Sequence, residues 1–527
     1  MHIVIGSGPA GIAAAKSLLA AGHEVTMLDV GYTLEPDRQE KVDQLARGDR
    51  KSWDKRVLEE ITKATEPDVK GLPKKLIFGS DYPFKNPAEH IEIEAKGVDV
   101  LMSHAAGGLS NVWGANLMPL HERDIAGWPL TLKELEPYYK KVLEFVQLSA
   151  VVDRLHDHFP ILTDGALPLK LSKQAQSFLK DLEASKKALE RQGIFFGSSR
   201  LAVRASSLEG DGGCTYCGMC LYGCPYSLIY SSAHTLKQLS DEPRFKYVPN
   251  VFVERVEESG DSAKVTGRDL NTGGQSSFAA ERVFIAAGAV SSTRIVLESL
   301  EAYEKELAIK DSQYFLLPFL RFKGSGDVTK EQLHTLSQVA LNIHREDISS
   351  KPIHVLTYTY NDLYLRAIKK LLGPLFSLSK PVINPLLSRL VVLQGYLNSN
   401  ESPEILLKVS RPQNGRRAVS LEAKLNPLTK GAIKKLMKLM RTNTFRLGGI
   451  GLRPLMHVGA PGKSYHIGAS LPMREAPGEF ESDILGRPHG LKRVHVVDTA
   501  VFTDVPATNV TFTIMANAYR IAAEASA

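Results

Sequence analysis

Cysteine is almost missing from this chain. Its 527 residues hold four, and all four fall within the eleven residues Cys214 to Cys224. A disulfide framework spreads its cysteines over a fold, so a cross-linked scaffold is excluded. No apolar run approaches the roughly 20 residues that a spanning helix needs. There is no internal repeat and no low-complexity tract, which excludes solenoids and long tails. Charge of one sign is lacking too: 65 basic residues stand against 58 acidic ones, for a net +7. The signs are interspersed, and no basic stripe with interleaved aromatics appears. That reads as a solvated surface, not a nucleic-acid footprint. The opening MHIVIGSGPAGIAAAKSLLAAG has no basic n-region and reads as mature fold rather than a secretory leader. The expectation is a reducing compartment, the cytoplasm, with a membrane-peripheral position or export with a partner subunit as the other readings.

What is present is ordinary globular material, 43% hydrophobic and 23% charged, long enough for two to four domains. Residues 2–5, HIVI, read as a buried strand. Gly6-Ser-Gly8-Pro9-Ala10-Gly11 follows, then an Ala/Leu-rich helix from about Ile12 to Ala21, a stop at Gly22, and a second strand, Glu24 to Asp29, ending in an acid. Strand, glycine loop, helix, strand and acid in about thirty residues form a dinucleotide-binding unit. Gly6 makes the turn, Gly8 lets the backbone approach a pyrophosphate, and Gly11 lets helix and strand pack closely. The helix N-terminus offers N–H groups to phosphate. Asp29 suits a ribose hydroxyl pair and argues against a 2′-phosphate, which leaves FAD or NAD.

Three further stretches bear on that choice. Ser103–Gly114, SHAAGGLSNVWG, is a glycine-dense loop that can run along a flat cofactor. Residues 283–294, VFIAAGAVSSTR, read as a buried strand running into a second small-residue turn, with a helix from Arg294 to Leu300. The C-terminal stretch from His495 holds a strand to Asp498, a polar turn around Asn509 and a long apolar helix.

These pieces together resemble the glucose–methanol–choline flavoprotein oxidoreductases. The matching stretches are GSGPAG at 6–11, GGLSNVWG at 107–114, WPLTLKELEPYY at 128–139, FIAAGAVSSTRIVLES at 284–299, YHIGASLPM at 465–473 and VVDTAVFTDVPATNVTFTIMANA at 496–518. The likeness covers the whole chain and is nearest to the pyranose oxidases and sugar dehydrogenases; residues 311–460 match only loosely. It implies an α/β fold: a doubly wound FAD domain at 1–310, completed by 466–527, with a substrate domain at 311–465 built on a mostly antiparallel sheet covered by helices. It implies cofactor contacts at Gly6, Gly8, Pro9, Ala10, Gly11, Asp29, Gly107, Gly108, Ser110, Asn111, Trp113, Gly114, Val253, Ala287, Gly288, Asp498, Asn509 and Thr511. Where some members attach flavin through a histidine this chain has Val112, with His104 out of place in the motif, so noncovalent FAD is expected.

Oxidising an alcohol with a flavin needs a base for the hydroxyl proton, and a neutral imidazole suits that role. His466 occupies the family's catalytic-histidine position, and Asn509 its partner position, where an amide can orient the hydroxyl. His457 is a rival nine residues upstream. The family's glycine after the histidine comes one place early here, at Gly468, which bears on the local backbone.

The cysteines run C-x2-C-x2-C-x3-C-P: Cys214, Cys217, Cys220, Cys224, Pro225. This is the bacterial ferredoxin pattern, and no remote cysteine exists to complete a second site. An iron–sulfur cluster, 4Fe–4S or 3Fe–4S, is the favoured reading. Structural zinc, inert buried thiols and a redox-sensing dithiol are the alternatives. In the sugar dehydrogenases that the chain resembles, a cysteine run ending in Cys-Pro holds a three-iron cluster, which makes Cys214, Cys217 and Cys220 the safer ligands and leaves Cys224 open. A cluster beside a flavin implies electron export to an external acceptor: a ferredoxin, cytochrome, quinone or second subunit.

Residues 361–393 are Leu-rich with interspersed Lys and Arg. Leu365, Ile368, Leu371, Leu372 and Leu375 fall at helical spacing, and Pro374, Pro381 and Pro385 are expected to break the run into short pieces. Helices covering the substrate domain are favoured over a membrane-surface patch. A second basic amphipathic helix is expected at Leu428–Met440, capped near Thr429, against a strand at Val419–Leu425. The expectation is an FAD- and iron–sulfur-dependent dehydrogenase of a sugar, sugar acid, polyol or glycoside. An oxygen-using oxidase with a structural cysteine loop is one alternative. A non-catalytic flavin/iron–sulfur electron-transfer or sensor protein is another.

Overall fold

His2–Ile5 is a four-residue strand with every side chain buried. It lies between Val25–Leu28 and Arg282–Ile285 and is parallel to both. Val494–Val496 and Phe245–Val248 complete a five-stranded sheet, also in parallel pairing. Strands covered on both faces need near-continuous apolar sequence, which is what HIVI, VTML and RVFI supply. Helix Pro9–Ala20 covers one face, and helix Thr511–Ser526 packs along it. Ala13, Ala14 and Ala15 are fully buried there, and their small side chains permit the close approach. The computed structural model describes residues 1–63, 75–85, 90–206, 212–412 and 417–527; the side chains at 367, 368, 371, 372, 375, 378 and 380 lie outside that description.

The second main sheet has seven strands. In order, six are Gly449–Gly451, Tyr314–Arg321, Leu390–Tyr396, Ile353–Tyr358, Val339–Ile343 and Ile194–Ser198, with His457–Val458 also paired to Tyr314–Arg321. All of its pairings are antiparallel. The edge strand Ile194–Ser198 comes from well outside 311–465. Alternation decides which face does what. Phe315, Leu317, Phe319, Val391, Leu393, Ile353 and Val355 point into a core shared with helices Lys173–Ala184 and Pro427–Thr442. Tyr314, Leu316, Pro318, Val392, Gln394, Tyr396, Leu356 and Tyr358 face the opposite way, onto a large cavity. A five-stranded mixed sheet, Ile467–Gly468, Glu306–Asp311, Glu404–Val409, Ala418–Lys424 and Glu92–Lys96, lies on the other side of the His466 loop.

Several sequence expectations shift. The first helix starts at Pro9, not Ile12, because proline suits the first helical position. The helix expected from Arg294 already begins at Ala289. Pro381 and Pro385 do not end their helix: Phe376–Leu387 runs through both. The basic helix runs Pro427–Thr442 and is capped by Asn426, whose side chain accepts the Leu428 N–H, rather than near Thr429. Of the helically spaced residues, Ile368, Leu371, Leu372 and Leu375 have side chains outside the described ones. Among the described residues, no helix is long and apolar enough to cross a membrane.

Candidate active site

A cavity of about 740 Å³ runs from the Gly6–Gly11 loop to the His466 loop. At its first end, Gly6 takes φ +97°, and a Cβ there would meet the Ala286 carbonyl at 2.6 Å. A Cβ on Gly11 would lie 1.9 Å from the Gly6 oxygen, so close helix–strand packing requires glycine. Gly8 is different: a Cβ on it would meet nothing within 4 Å, because it faces the open cavity. That is the room a pyrophosphate needs. Helices Pro9–Ala20, Ala289–Ser299 and Thr511–Ser526 all start on this wall, and none has a side-chain N-cap. Thr131, Ser172, Ser231 and Asn426 do cap theirs. Helix N–H groups left open toward a cavity fit an anionic ligand.

Asp29 ends the second strand. Its Oδ2 accepts from the Ser7 hydroxyl and, at 3.2 Å, from the Tyr247 hydroxyl. Burial lifts its pKa to about 6. Asp498 Oδ2 accepts from Gly288 N–H at 2.8 Å and Ser292 Oγ at 2.5 Å, so it ties the second small-residue turn to the C-terminal strand. Of the residues named from sequence, Gly6, Gly8, Pro9, Ala10, Asp29, Gly108, Ser110, Trp113, Gly114, Val253, Ala287, Gly288, Asp498, Asn509 and Thr511 line the cavity. Gly11, Gly107 and Asn111 do not. Asn111 braces the glycine loop, donating to the carbonyls of Ala106 and Gly108 at 2.9 Å and accepting from Ser231 Oγ at 2.8 Å. Gly107, at φ +84°, lies against the Ala233 backbone. Val112 and His104 also face the cavity.

The other end holds His466 and Asn509. Asn509 Nδ2 lies 3.5 Å from His466 Nε2. An amide N–H directed at Nε2 places the imidazole lone pair there and its proton on Nδ1. Nδ1 of His466 and Oδ1 of Asn509 are buried without a protein partner. Desolvation lowers the His466 pKa to about 4, so the ring is neutral at neutral pH. Its backbone is pinned from behind. The His466 N–H donates to Ser464 Oγ at 2.9 Å, and that hydroxyl donates to Asp311 Oδ1 at 2.6 Å. Gly462 N–H donates to Asp311 Oδ2 at 2.8 Å. Tyr465 and Ala469, on either side, take positive φ of 61° and 55°. Strain at non-glycine residues flanking a site is held only where the surroundings dictate it. The Asn509 loop is pinned as well: Trp128 Nε1 donates to Asp504 at 3.0 Å, and Thr508 donates to Asp124 at 2.9 Å. This gives the Trp128 stretch its role.

Sequence reading missed the tyrosines around His466. Tyr396 stacks on its ring, with centroids 4.7 Å apart, and Tyr314, Tyr358 and Tyr465 line the same end. The alternation of strands 314–321 and 390–396 was the signal available for Tyr314 and Tyr396. His457, the rival, lines the cavity too, on a two-residue strand. Helix Asp362–Leu372 begins beside the cavity, where Asn361, Leu363 and Tyr364 line it. Phe376, Ile383 and Leu387 pack with Val328 and Tyr360. These helices cover the site.

All four cysteines are free of disulfides and line one small, wholly apolar cavity. Backbone N–H groups point at two of the sulfurs: Leu228 at Cys224 (3.4 Å) and Thr335 at Cys220 (3.5 Å). Burial pushes the Cys224 thiol up to about 11, Cys214 to about 12, and Cys217 upward. Such thiols are protonated and unreactive unless a metal takes the proton's place, which disfavours a redox-sensing dithiol. Among the described residues, the set of three ligating atoms within 4.8 Å of one another is a histidine set, not a cysteine one. Single-ion zinc needs sulfurs closer than that, whereas a multi-iron cluster spreads its thiolates round itself. The residues therefore fit a cluster, and Cys224 shares the cavity with the other three. His334 lies there too, fully buried, with both ring nitrogens unpartnered. Nothing in its sequence context pointed to it. Leu221 and Tyr222, inside the cysteine run, line the large cavity, so the two chambers are neighbours.

No family model matches the chain. It is 24% identical over 305 residues to a 2-methyl-1,2-propanediol dehydrogenase of Mycolicibacterium austroafricanum. That match takes in 57% of this chain and spans only 50% of the relative's length. Among solved structures, the chain is similar to pyridoxine 4-oxidase from Mesorbium loti, with TM-score 0.59, 14% identity, and 99% of this chain and 98% of that one covered. It is likewise similar to a variant formate oxidase of Aspergillus oryzae, with TM-score 0.60, 12% identity, and coverage of 100% and 97%. A further formate oxidase structure matches at TM-score 0.61 and 13% identity, covering 99% and 97%. The fold is therefore that of these proteins, an α/β architecture.

Proposed function

We propose that the chain is an FAD-dependent oxidoreductase of the glucose–methanol–choline type that oxidises the CH–OH group of an alcohol. The observation that carries this is the single cavity joining the open Gly8 cradle to the His466–Asn509 pair. Bound FAD supplies the acceptor for the two electrons and hydrogen leaving the alcohol carbon. This chain's residues do the rest. The substrate hydroxyl donates to His466 Nε2, which takes the proton, while Asn509 Nδ2 donates to the oxygen as its charge grows. The names of the similar proteins, an alcohol dehydrogenase and a pyridoxine oxidase among them, support this class of reaction.

The substrate-facing sheet presents tyrosines, aliphatic side chains and Gln394, with no charged side chain among its cavity-lining residues. This supports an uncharged alcohol whose body lies on the rings, a glycoside or other ring-bearing alcohol, over a sugar acid. The cysteine loop would hold an iron–sulfur cluster through Cys214, Cys217, Cys220 and Cys224, and such a group passes single electrons to an external acceptor. The second reading is direct use of oxygen, favoured by the oxidases among the structural neighbours. Anaerobic bleaching of the bound flavin across sugars, polyols, glycosides and aromatic alcohols tests the proposal. Bleaching by an alcohol without peroxide production in air is expected. Resistance to every alcohol would refute the enzyme reading, and rapid peroxide formation would favour the oxidase.

A further inference from the structure

Away from both chambers, three histidines from distant parts of the sequence converge. His121 immediately precedes the short helix Glu122–Ile125, His158 sits in a loop, and His344 follows strand Val339–Ile343. One ring nitrogen from each lies within 4.8 Å of the others. None of the three lines the large cavity.

We propose that His121, His158 and His344 form a binding site for a divalent transition-metal ion, with Zn²⁺ as the representative. Imidazole nitrogen suits zinc, copper and nickel. The spacing matches the chemistry. Two nitrogens each about 2.05 Å from a tetrahedral ion lie about 3.3 Å apart. His121 Nε2 and His158 Nδ1 are 3.3 Å apart. His344 Nε2 contacts the Asn342 side-chain oxygen. That contact fixes its proton on Nε2 and leaves Nδ1 as the lone-pair nitrogen, the outer-shell arrangement that orients metal-binding histidines. Three imidazoles leave a fourth position for water or a carboxylate. Glu346, exposed and 3.4 Å from Arg123, is the nearest acid in sequence to His344.

Ring packing alone is the competing account, since His121 and His344 centroids are 4.5 Å apart and His158 lies 4.2 Å from the Phe195 ring. One feature separates the two. His121 Nδ1 accepts the Arg123 N–H as a helix cap at 3.1 Å. Coordination through Nε2 moves the proton to Nδ1 and gives up that bond. His121→Asn therefore removes a ligand while supplying a good cap, and the helix survives the change. A bound ion would tie together a segment near the Asn509 loop, the 151–159 loop and the edge of the seven-stranded sheet.

The test is calorimetric titration of zinc chloride into the purified, cofactor-loaded protein, with thermal unfolding alongside. Wild type should take up one saturable equivalent and melt higher with zinc. His121→Asn and His344→Asn should each weaken that binding at least about 10-fold and abolish the melting shift, while exposed His489→Asn changes neither. Absence of saturable uptake would overturn the site. So would binding that survives both substitutions, which would place the ion elsewhere, the cysteines included. If a variant fails to fold, copper(II) EPR of the wild type still decides: nitrogen superhyperfine structure supports the site, and its absence refutes it.

Discussion

The side chains of His466 and Asn509 meet at 3.5 Å although 43 residues separate them. Each is held by its own buried anchor: Asp311 through Ser464 for the histidine, and Asp124 and Asp504 for the asparagine loop. The pair is thus assembled by tertiary structure, and both members can be varied without unmaking the fold.

Asn509→Ala should slow flavin reduction by about 10²–10³-fold, the range for removing one preorganised donor. Protein stability should change little, because Asn509 Oδ1 has no partner to lose. Rapid-mixing reduction kinetics check the first statement and thermal unfolding the second.

The pH dependence has a definite sign. His466 accepts a proton only when neutral, and desolvation holds its pKa near 4, below the ordinary 6.5. Flavin reduction should be flat from pH 8 down to about 5 and fall as pH drops through about 4. Stability follows the same group by linkage. The unfolded chain takes up protons below about 6.5, while folded His466, His334 (about 4) and His354 (about 3) refuse them. Stability is complete above pH 6.5 and declines as pH falls toward 4. His354→Leu should reduce the steepness of that decline in acid-unfolding curves.

Two glycines of one loop should behave oppositely. Gly11→Ala drives a methyl into the Gly6 carbonyl, 1.9 Å away, and should destabilise the protein by roughly 1–3 kcal/mol. Gly8→Val places its side chain in open space, so stability of the cofactor-free protein should hold. FAD content after purification should collapse. Unfolding curves and released-flavin absorbance separate the two outcomes.

The cysteine loop predicts iron and acid-labile sulfide in anaerobically purified protein. Cys214→Ser, Cys217→Ser and Cys220→Ser should each lose most of both, and Cys224→Ser likewise, since all four thiols share one cavity. Zinc in place of iron, or full iron content in all four variants, would contradict the cluster.

The dinucleotide end was legible because its determinants are local. Turn, close approach and acid are written within residues 6–29, and the structure needs glycine at Gly6 and Gly11 for the reasons the motif suggests. Asn111 was legible as part of the loop but not as a brace, because its partner Ser231 lies 120 residues away. The tyrosines around His466 come from strands whose alternation is plain in sequence, but which alternate faces a cavity is a tertiary fact. His334 and the three-histidine cluster carried no local signal at all. Pro381 and Pro385 misled, because a helix sitting over a core can give up the two backbone hydrogen bonds that propline-free reasoning assumes it must keep.

The central claim is that His466 takes the substrate proton at the far end of a flavin-holding cavity. It is tested most directly by anaerobic rapid-mixing reduction of the bound flavin with the best alcohol, wild type against His466→Ala at equal flavin content. The account predicts a rate lower by about 10²–10⁴-fold in the variant, with flavin binding retained. An unchanged rate would contradict it.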